Sequence, residues 1–343
     1  MTSPALSRTT SANFRTLLSN DAARTRVNQV EAAGVTLDKF GLVTLGGRLK
    51  EIESKVAPNL QEGRSRIQTI INEGKTVLLF PGAFDLLHVG HASYILQGIE
   101  TFLRSVPKMK REDLFVVAAL DSDSLIASTK SGAENEPPRP IQSEANFAPI
   151  LGNRGVKNPR ATEMASLPFV DLVLVTPSPA EIHSLREDWN FKRWLSEKSS
   201  FEGDAKAVIL ADSSELTGQV KDAMQSYSRL ITKMGSNVGM RFVHEGFIRA
   251  QCRLPQTESA QWDLASWNLM MTRFLGSVTA SERGGCYRIL SDKDGYSPIV
   301  ARLMELSGIR TVLVNDDHVL STTGLIKTYG WENLFTAKWA SLA

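Results

Sequence analysis

Residues 76–96 read TVLLFPGAFDLLHVGHASYIL. The opening TVLLFP is short and apolar without alternation, the pattern of a strand buried on both faces of a parallel sheet. A turn carrying His88, Gly90 and His91 follows. Ala92, Ile95, Leu96, Ile99, Phe102 and Leu103 then recur on one face at helical spacing. Pro107 ends that helix because it cannot continue the hydrogen-bond ladder. LFVVAAL at 114–120 is a second buried strand. Strand, tight turn, helix and strand make a βαβ unit, whose crossover is right-handed.

The alternation continues outward. FVDLVLV at 169–175 predicts a third strand, and Ser178, Pro179, Ala180 and Glu181 form a capping box with proline at the first helical position. KAVILAD at 206–212 predicts a fourth strand, and a helix is expected from about residue 214. Ser297 and Pro298 open a further helix, Gly308 closes it, and RTVLV at 310–314 is a last strand. The fold class is α/β, a doubly wound parallel sheet of Rossmann-like form.

Four regions are expected: an N-terminal helical extension over 1–75, a core domain over 76–212 plus 296–330, an insertion or small subdomain over 213–295, and a tail over 331–343. The leading dozen residues read as disordered, and residues 52–56 and 67–71 as helical, with no chemical motif among them. Gly74, Lys75 and Thr76 resemble the end of a P-loop. Residue 69 is Thr where that loop needs Gly, however, and the triplet precedes its strand instead of following it. Within 213–295, RFVHEGFI reads as a hairpin strand and AQWDLASWNLMMTRFL as an amphipathic helix. Residues 131–160 contain five prolines and read as a long loop.

Bulk composition narrows the function classes. Lys plus Arg is 39 against 37 Asp plus Glu, a net charge of +2, which argues against a nucleic-acid coat. The two cysteines, Cys252 and Cys286, form no CxxC pair, so no structural zinc or disulfide framework is expected. No apolar run is long enough for a bilayer. The Ser/Thr/Arg-rich start has no apolar signal core, and acids from Asp21 onward are unlike a transit peptide. The expectation is a cytoplasmic protein, bound neither to nucleic acid nor to membrane.

Open α/β sheets bind ligands at the carboxyl ends of their strands, where His88 and His91 fall. The start of the following helix offers free N–H groups and a positive dipole end, which suit phosphate. Gly82 lets the backbone approach a ligand closely, and Gly90 leaves room between the two rings. Two imidazoles can donate to phosphate oxygens and stabilise charge developing there. One packed and one solvated histidine is the plain alternative. Zinc is another, but neither a nearby Cys nor a suitably spaced Glu completes a ligand set.

Gly82, Ala83, Phe84, Asp85, Leu86, Leu87, His88, Val89, Gly90 and His91 resemble the signature of the HxGH nucleotidyltransferases, the cytidylyltransferase-like superfamily. Ser122 and Asp123 match that family's Ser-Asp after the second strand. Lys130 with Arg139, Pro140 and Ile141 resembles its Lys…Arg-Pro loop. The stretch from Arg160 to Val170 and Asp171 resembles its Arg-containing helix and Val-Asp strand. Leu320, Ser321, Thr322 and Thr323 resemble its closing Ser-Thr-Thr motif. The match covers about 76–180 and 305–330, and within the superfamily it is most similar to the sugar-phosphate branch, including the adenylyltransferase domain that makes ADP-heptose. Asp316, Asp317, His318 and Val319 stand where glycerol-3-phosphate cytidylyltransferases carry Arg-Thr-Glu-Gly, which favours ATP over CTP.

The resemblance implies transfer of NMP from ATP or CTP to a phosphorylated small molecule such as a sugar or polyol phosphate, with Mg²⁺ accompanying the triphosphate. It implies His88, His91 and Lys130 as catalytic residues. It implies nucleotide contacts from Gly82, Ala83, Phe84, Gly90, Asp123, Arg160, Ser321, Thr322 and Thr323, and acceptor or phosphate contacts from Asp85 and Arg139. No protein metal ligands are expected, and a homodimer is. The alternative is a nucleotide-binding sensor or scaffold of the same fold without catalysis.

Overall fold

The computed structural model describes residues 18, 20–44, 49–129, 139–146, 158–178, 181, 271, 274–275, 285–291, 310–314 and 320–334. The strand at 206–212, the helix from 214, the hairpin strand in RFVHEGFI and the helix opened by Ser297 lie outside them.

Among the described residues five parallel strands form one sheet, β1 (Thr76–Gly82), β2 (Leu114–Asp121), β3 (Leu172–Thr176), β4 (Gly285–Ser291) and β5 (Arg310–Val314), in the order β3-β2-β1-β4-β5. This is an α/β, Rossmann-like sheet. The chain leaves β1 towards β2 and β3 and returns on the other side at β4, so strand order reverses beside β1, where such sheets bind ligands. Residues 76–80 are all buried, as expected of a strand covered on both faces.

β4 corrects the expected layout. It lies inside the 213–295 segment read as an insertion, yet it pairs with β1 from Thr76↔Gly285 to Leu79↔Arg288. The sheet therefore resumes before residue 296. The run GCYRILS hides this, because Arg288 interrupts the apolar pattern although it is only 2% exposed.

The described helices are α1 (Asp21–Ala32), α2 (Leu49–Lys55), α3 (Leu60–Asn72), α4 (Val89–Ser105), α5 (Asp123–Thr129), α6 (Pro159–Ala165) and α7 (Thr322–Tyr329). The helix expected from Ala92 to Leu103 is α4, and it starts at Val89. Phe80 meets Tyr94 edge-on, and the Tyr94 hydroxyl donates to the Ile289 carbonyl at 2.8 Å, tying α4 to β4.

The N-terminal segment belongs to the same core. Val27, Val30, Val35, Val43 and Ile52 form one buried cluster with Phe80, Val89, Ala92 and Ile95. Val56 makes a parallel bridge to Val173, and the Ala57 N–H donates to the Val173 carbonyl at 2.8 Å, along the outer side of β3. No helix among the described residues is long and apolar enough to cross a membrane.

Candidate active site

The site grows from the loop between β1 and α4. His88 is the N-cap of α4, with extended backbone (φ −132°, ψ 173°), and its Nδ1 accepts the Gly90 N–H at 3.1 Å. An imidazole thus does the work that Ser or Asp does at most helix starts. His88 is buried; His91, one turn on, stacks against it with ring centroids 3.9 Å apart and planes at 22°. Phe84 meets the His91 ring edge-on at 5.4 Å.

The loop is held in a costly shape. Phe84 (φ 45°) and Leu86 (φ 50°) are left-handed without being glycine, at a cost of about 1–3 kcal/mol each. Asp85, between them, supplies the compensation. Its carboxylate accepts Arg139 Nε at 2.6 Å and the N–H groups of Ile141 and Gln142 at 3.0 Å each, and its carbonyl accepts the Thr322 hydroxyl at 2.7 Å. One residue therefore locks the loop to the segment 139–142 and to the start of α7.

Ser321 is the N-cap of α7, its hydroxyl accepting the Gly324 N–H at 3.1 Å. The starts of α4 and α7 lie against each other. A Cβ placed on Gly90 would fall 2.4 Å from the Leu320 carbonyl oxygen and 2.9 Å from the His88 ring, so only glycine permits the approach. Two positive helix ends, two stacked imidazoles and the hydroxyls of Ser321 and Thr322 thus share one corner of the sheet. Ser321 and Thr323 are exposed there.

Arg160 and Asp123, expected as nucleotide contacts, are engaged with each other and with the backbone. Arg160 is 1% exposed. One terminal nitrogen donates to the Ala83 carbonyl at 2.6 Å, the other to the Asp121 carbonyl at 2.8 Å and to Asp123 at 2.7 Å. The other Asp123 oxygen accepts the Glu144 N–H at 2.9 Å. This guanidinium braces the carboxyl ends of β1 and β2. Arg139 and Asp85 are likewise paired with each other, both nearly enclosed. Gly82 ends β1, and Ala83 opens the loop. Lys130 lies outside the described residues.

Sequence reasoning missed two contributors. Gln142, fully buried, donates from Nε2 to Glu163 at 2.9 Å, joining segment 139–142 to α6. Beyond β2, Ser122 donates to Glu181, whose carboxylate also accepts the Ser178 N–H at 2.6 Å, while the Glu181 N–H donates to Ser178 Oγ at 3.2 Å. The second pair is the capping box the sequence announced; its tie to Ser122 had no sequence signal.

No family model matches the chain, and no solved structure does. The chain is 30% identical over 169 residues to the Bifunctional protein HldE of Syntrophotalea carbinolica. That match covers 46% of this chain and spans 28% of the relative's length.

Proposed function

We propose that the chain is a nucleotidyltransferase that moves NMP from a nucleoside triphosphate, ATP before CTP, onto the phosphate of a small acceptor such as a sugar or polyol phosphate. The observation carrying this reading is the convergence of stacked His88 and His91 with the starts of α4 and α7, fixed by the close approach of Gly90 to Leu320. The partial identity to the HldE protein supports a nucleotidyltransferase-like relation.

In this mechanism an acceptor phosphate oxygen attacks the α-phosphorus in line, a P–O bond forms, and the bond to pyrophosphate breaks. No covalent enzyme intermediate is required, so rate comes from positioning and charge stabilisation. His88 and His91 donate to the α-phosphate oxygens as negative charge builds on them. Ser321 and the first N–H groups of α7, that of Thr322 among them, hold the β- and γ-phosphates, with Thr323 beside them, while the Thr322 hydroxyl fixes the start of α7 through the Asp85 carbonyl. Gly82, Ala83, Phe84 and Gly90 line the nucleotide, and Lys130 neutralises phosphate. Asp85, Arg139, Asp123 and Arg160 keep this frame rigid. Mg²⁺ bound to the triphosphate would offset the charge of the departing pyrophosphate. Among the described residues no group of three His, Cys, Asp or Glu side chains is placed to hold a resident ion.

The test is pyrophosphate release with Mg²⁺, each of the four NTPs, and a panel of sugar, polyol and vitamin phosphates. Release with one NTP and one acceptor is expected. His88→Ala and His91→Ala should each lower turnover by at least about 10²-fold with an unchanged circular dichroism spectrum. Wild-type rates in either variant would remove the histidines from the mechanism. Nucleotide binding without turnover across a broad acceptor panel would favour the sensor reading instead.

A further inference from the structure

Residues 36–44 form a tight hairpin at the foot of the site. Leu37 and Val43 bridge antiparallel, Thr44 N–H donates to the Thr36 carbonyl at 2.9 Å, and Asp38 N–H donates to the Leu42 carbonyl at 2.9 Å. Asp38 Oδ1 accepts both the Phe40 and Leu42 N–H groups at 2.8 Å, so one carboxylate oxygen sets the shape of the turn. Gly41 takes φ 77°, open to glycine at little cost.

The outer strand of this hairpin pairs with the catalytic loop. Leu42 bridges His88 antiparallel; Val43 N–H donates to the Leu87 carbonyl at 2.9 Å, and Val89 N–H donates to the Gly41 carbonyl at 2.8 Å. His88 is therefore clamped on both flanks as a one-residue strand. Its extended backbone comes from neither α4 nor β1. The left-handed residues Phe84 and Leu86 just upstream favour relaxation of the loop, and the clamp opposes it. The same turn reaches α7: Phe40 meets Tyr329 edge-on at 4.9 Å, and Phe40 and Leu42 pack in one buried cluster with Leu86, Ile141, Leu325 and Ile326.

We infer that the Asp38-centred hairpin is a positioning element of the site, fixing the His88 backbone and the spacing between the starts of α4 and α7. As a statement about catalysis it rests on the proposed nucleotidyl transfer. Asp38 acts through Leu42 and does not touch substrate.

The test uses the full chain, ¹⁵N-labelled at its five histidines, with His88 assigned by its loss in His88→Ala. In Asp38→Ala the Nδ1 resonance of His88 should lose its acceptor signature, because the bond from the Gly90 N–H is no longer held in place. Turnover should fall about tenfold to a hundredfold, while KM for the NTP stays within about twofold, the pattern of a lost transition-state alignment. Asp38→Asn keeps the accepting oxygen and should restore both readouts. Should Asp38→Ala fold poorly, Gly41→Ala perturbs the same clamp through its φ and should give the same His88 shift. An unchanged His88 spectrum and rate in folded Asp38→Ala or Gly41→Ala would overturn the inference, as would Asp38→Asn matching Asp38→Ala. If wild type releases no pyrophosphate, the proposed function fails, and the His88 spectra alone decide the role of the hairpin.

Discussion

Asp85 shows how a residue with the chemistry of a ligand contact can instead be spent on shape. In the sequence it stands three residues before His88, where the resemblance implies an acceptor or phosphate contact. In the structure its side chain is fully enclosed, facing an Arg139 side chain 6% exposed. Both oxygens are occupied by Arg139 and by two backbone N–H groups. Removing one member of such a pair leaves the other charge buried without compensation, which costs about 3–5 kcal/mol. Asp85→Ala should therefore lower stability by that amount in urea unfolding. Asp85→Asn keeps an acceptor for the N–H groups and should cost less. A loss below about 1 kcal/mol in Asp85→Ala, the range of an exposed pair, would show that the pair does not hold the loop. Gly90 belongs to the same class of residue. Its role is to let the Leu320 carbonyl come close.

Among the elements, legibility follows the apolar run in the sequence: β4 is mostly buried yet was missed, whereas β5, with only Val314 buried, was read. β1 and β2 were readable because unbroken apolar runs have few other uses, and β5 because Val312, Leu313 and Val314 make a shorter run of the same kind. β3 begins at Leu172, not at residue 169 as the apolar run implies, because Asp171 turns its carboxylate onto the Val116 N–H at 2.8 Å. β4 was not readable, since Tyr287 and Arg288 sit mid-strand and an arginine in sequence signals solvent, not a sheet interior. His88, His91 and Ser321 could be singled out in the sequence because their side chains themselves carry the signal, and the structure brings them to one corner of the sheet. The hairpin clamp on His88 and the Asp85–Arg139 pair were not, for backbone bonds leave no side-chain signature and 54 residues separate the ion pair. The element beyond β3 yields a pH prediction. Burial pushes the Glu181 carboxyl up, but hydrogen bonds from the Ser122 hydroxyl, the Ser178 backbone, and the Ser124 and Ser178 hydroxyls outweigh it, leaving the pKa below the ordinary 4.5. A carboxylate whose folded pKa is depressed adds stability above its unfolded value and loses it as pH falls through the folded one. Glu181→Gln should accordingly be less stable than wild type at pH 7, with the gap closing below about pH 4.5 in urea titrations. A gap independent of pH would mean the carboxylate charge contributes nothing there.

At the scale of the whole molecule, the question is whether residues 1–75 are an appendage or part of the folding unit. An appendage would bury its own core and meet the sheet across a polar contact. Instead α1, the turn after it and the 36–44 hairpin bury Val27, Val30, Val35 and Val43 in the cluster that holds α4 against the sheet. α3 adds Leu60, Ile67 and Ile71, all buried, and Val56 lies along β3. Burying one such side chain is worth about 1.5–3 kcal/mol, and the whole stability of a domain is about 5–15 kcal/mol. Losing a handful of these contacts is enough to unfold the rest. It would also strip the outer side of β3, leaving unpaired N–H and C=O groups to template aggregation. A chain cut to residues 76–343 is therefore expected to be insoluble or to lack a cooperative thermal transition, and residues 1–75 alone to be unfolded by circular dichroism. Co-expressed as two pieces, they should associate and recover the transition, because the interface is a core cut in two. A soluble 76–343 fragment that melts cooperatively near the full-length temperature would show that the sheet stands without its N-terminal cover.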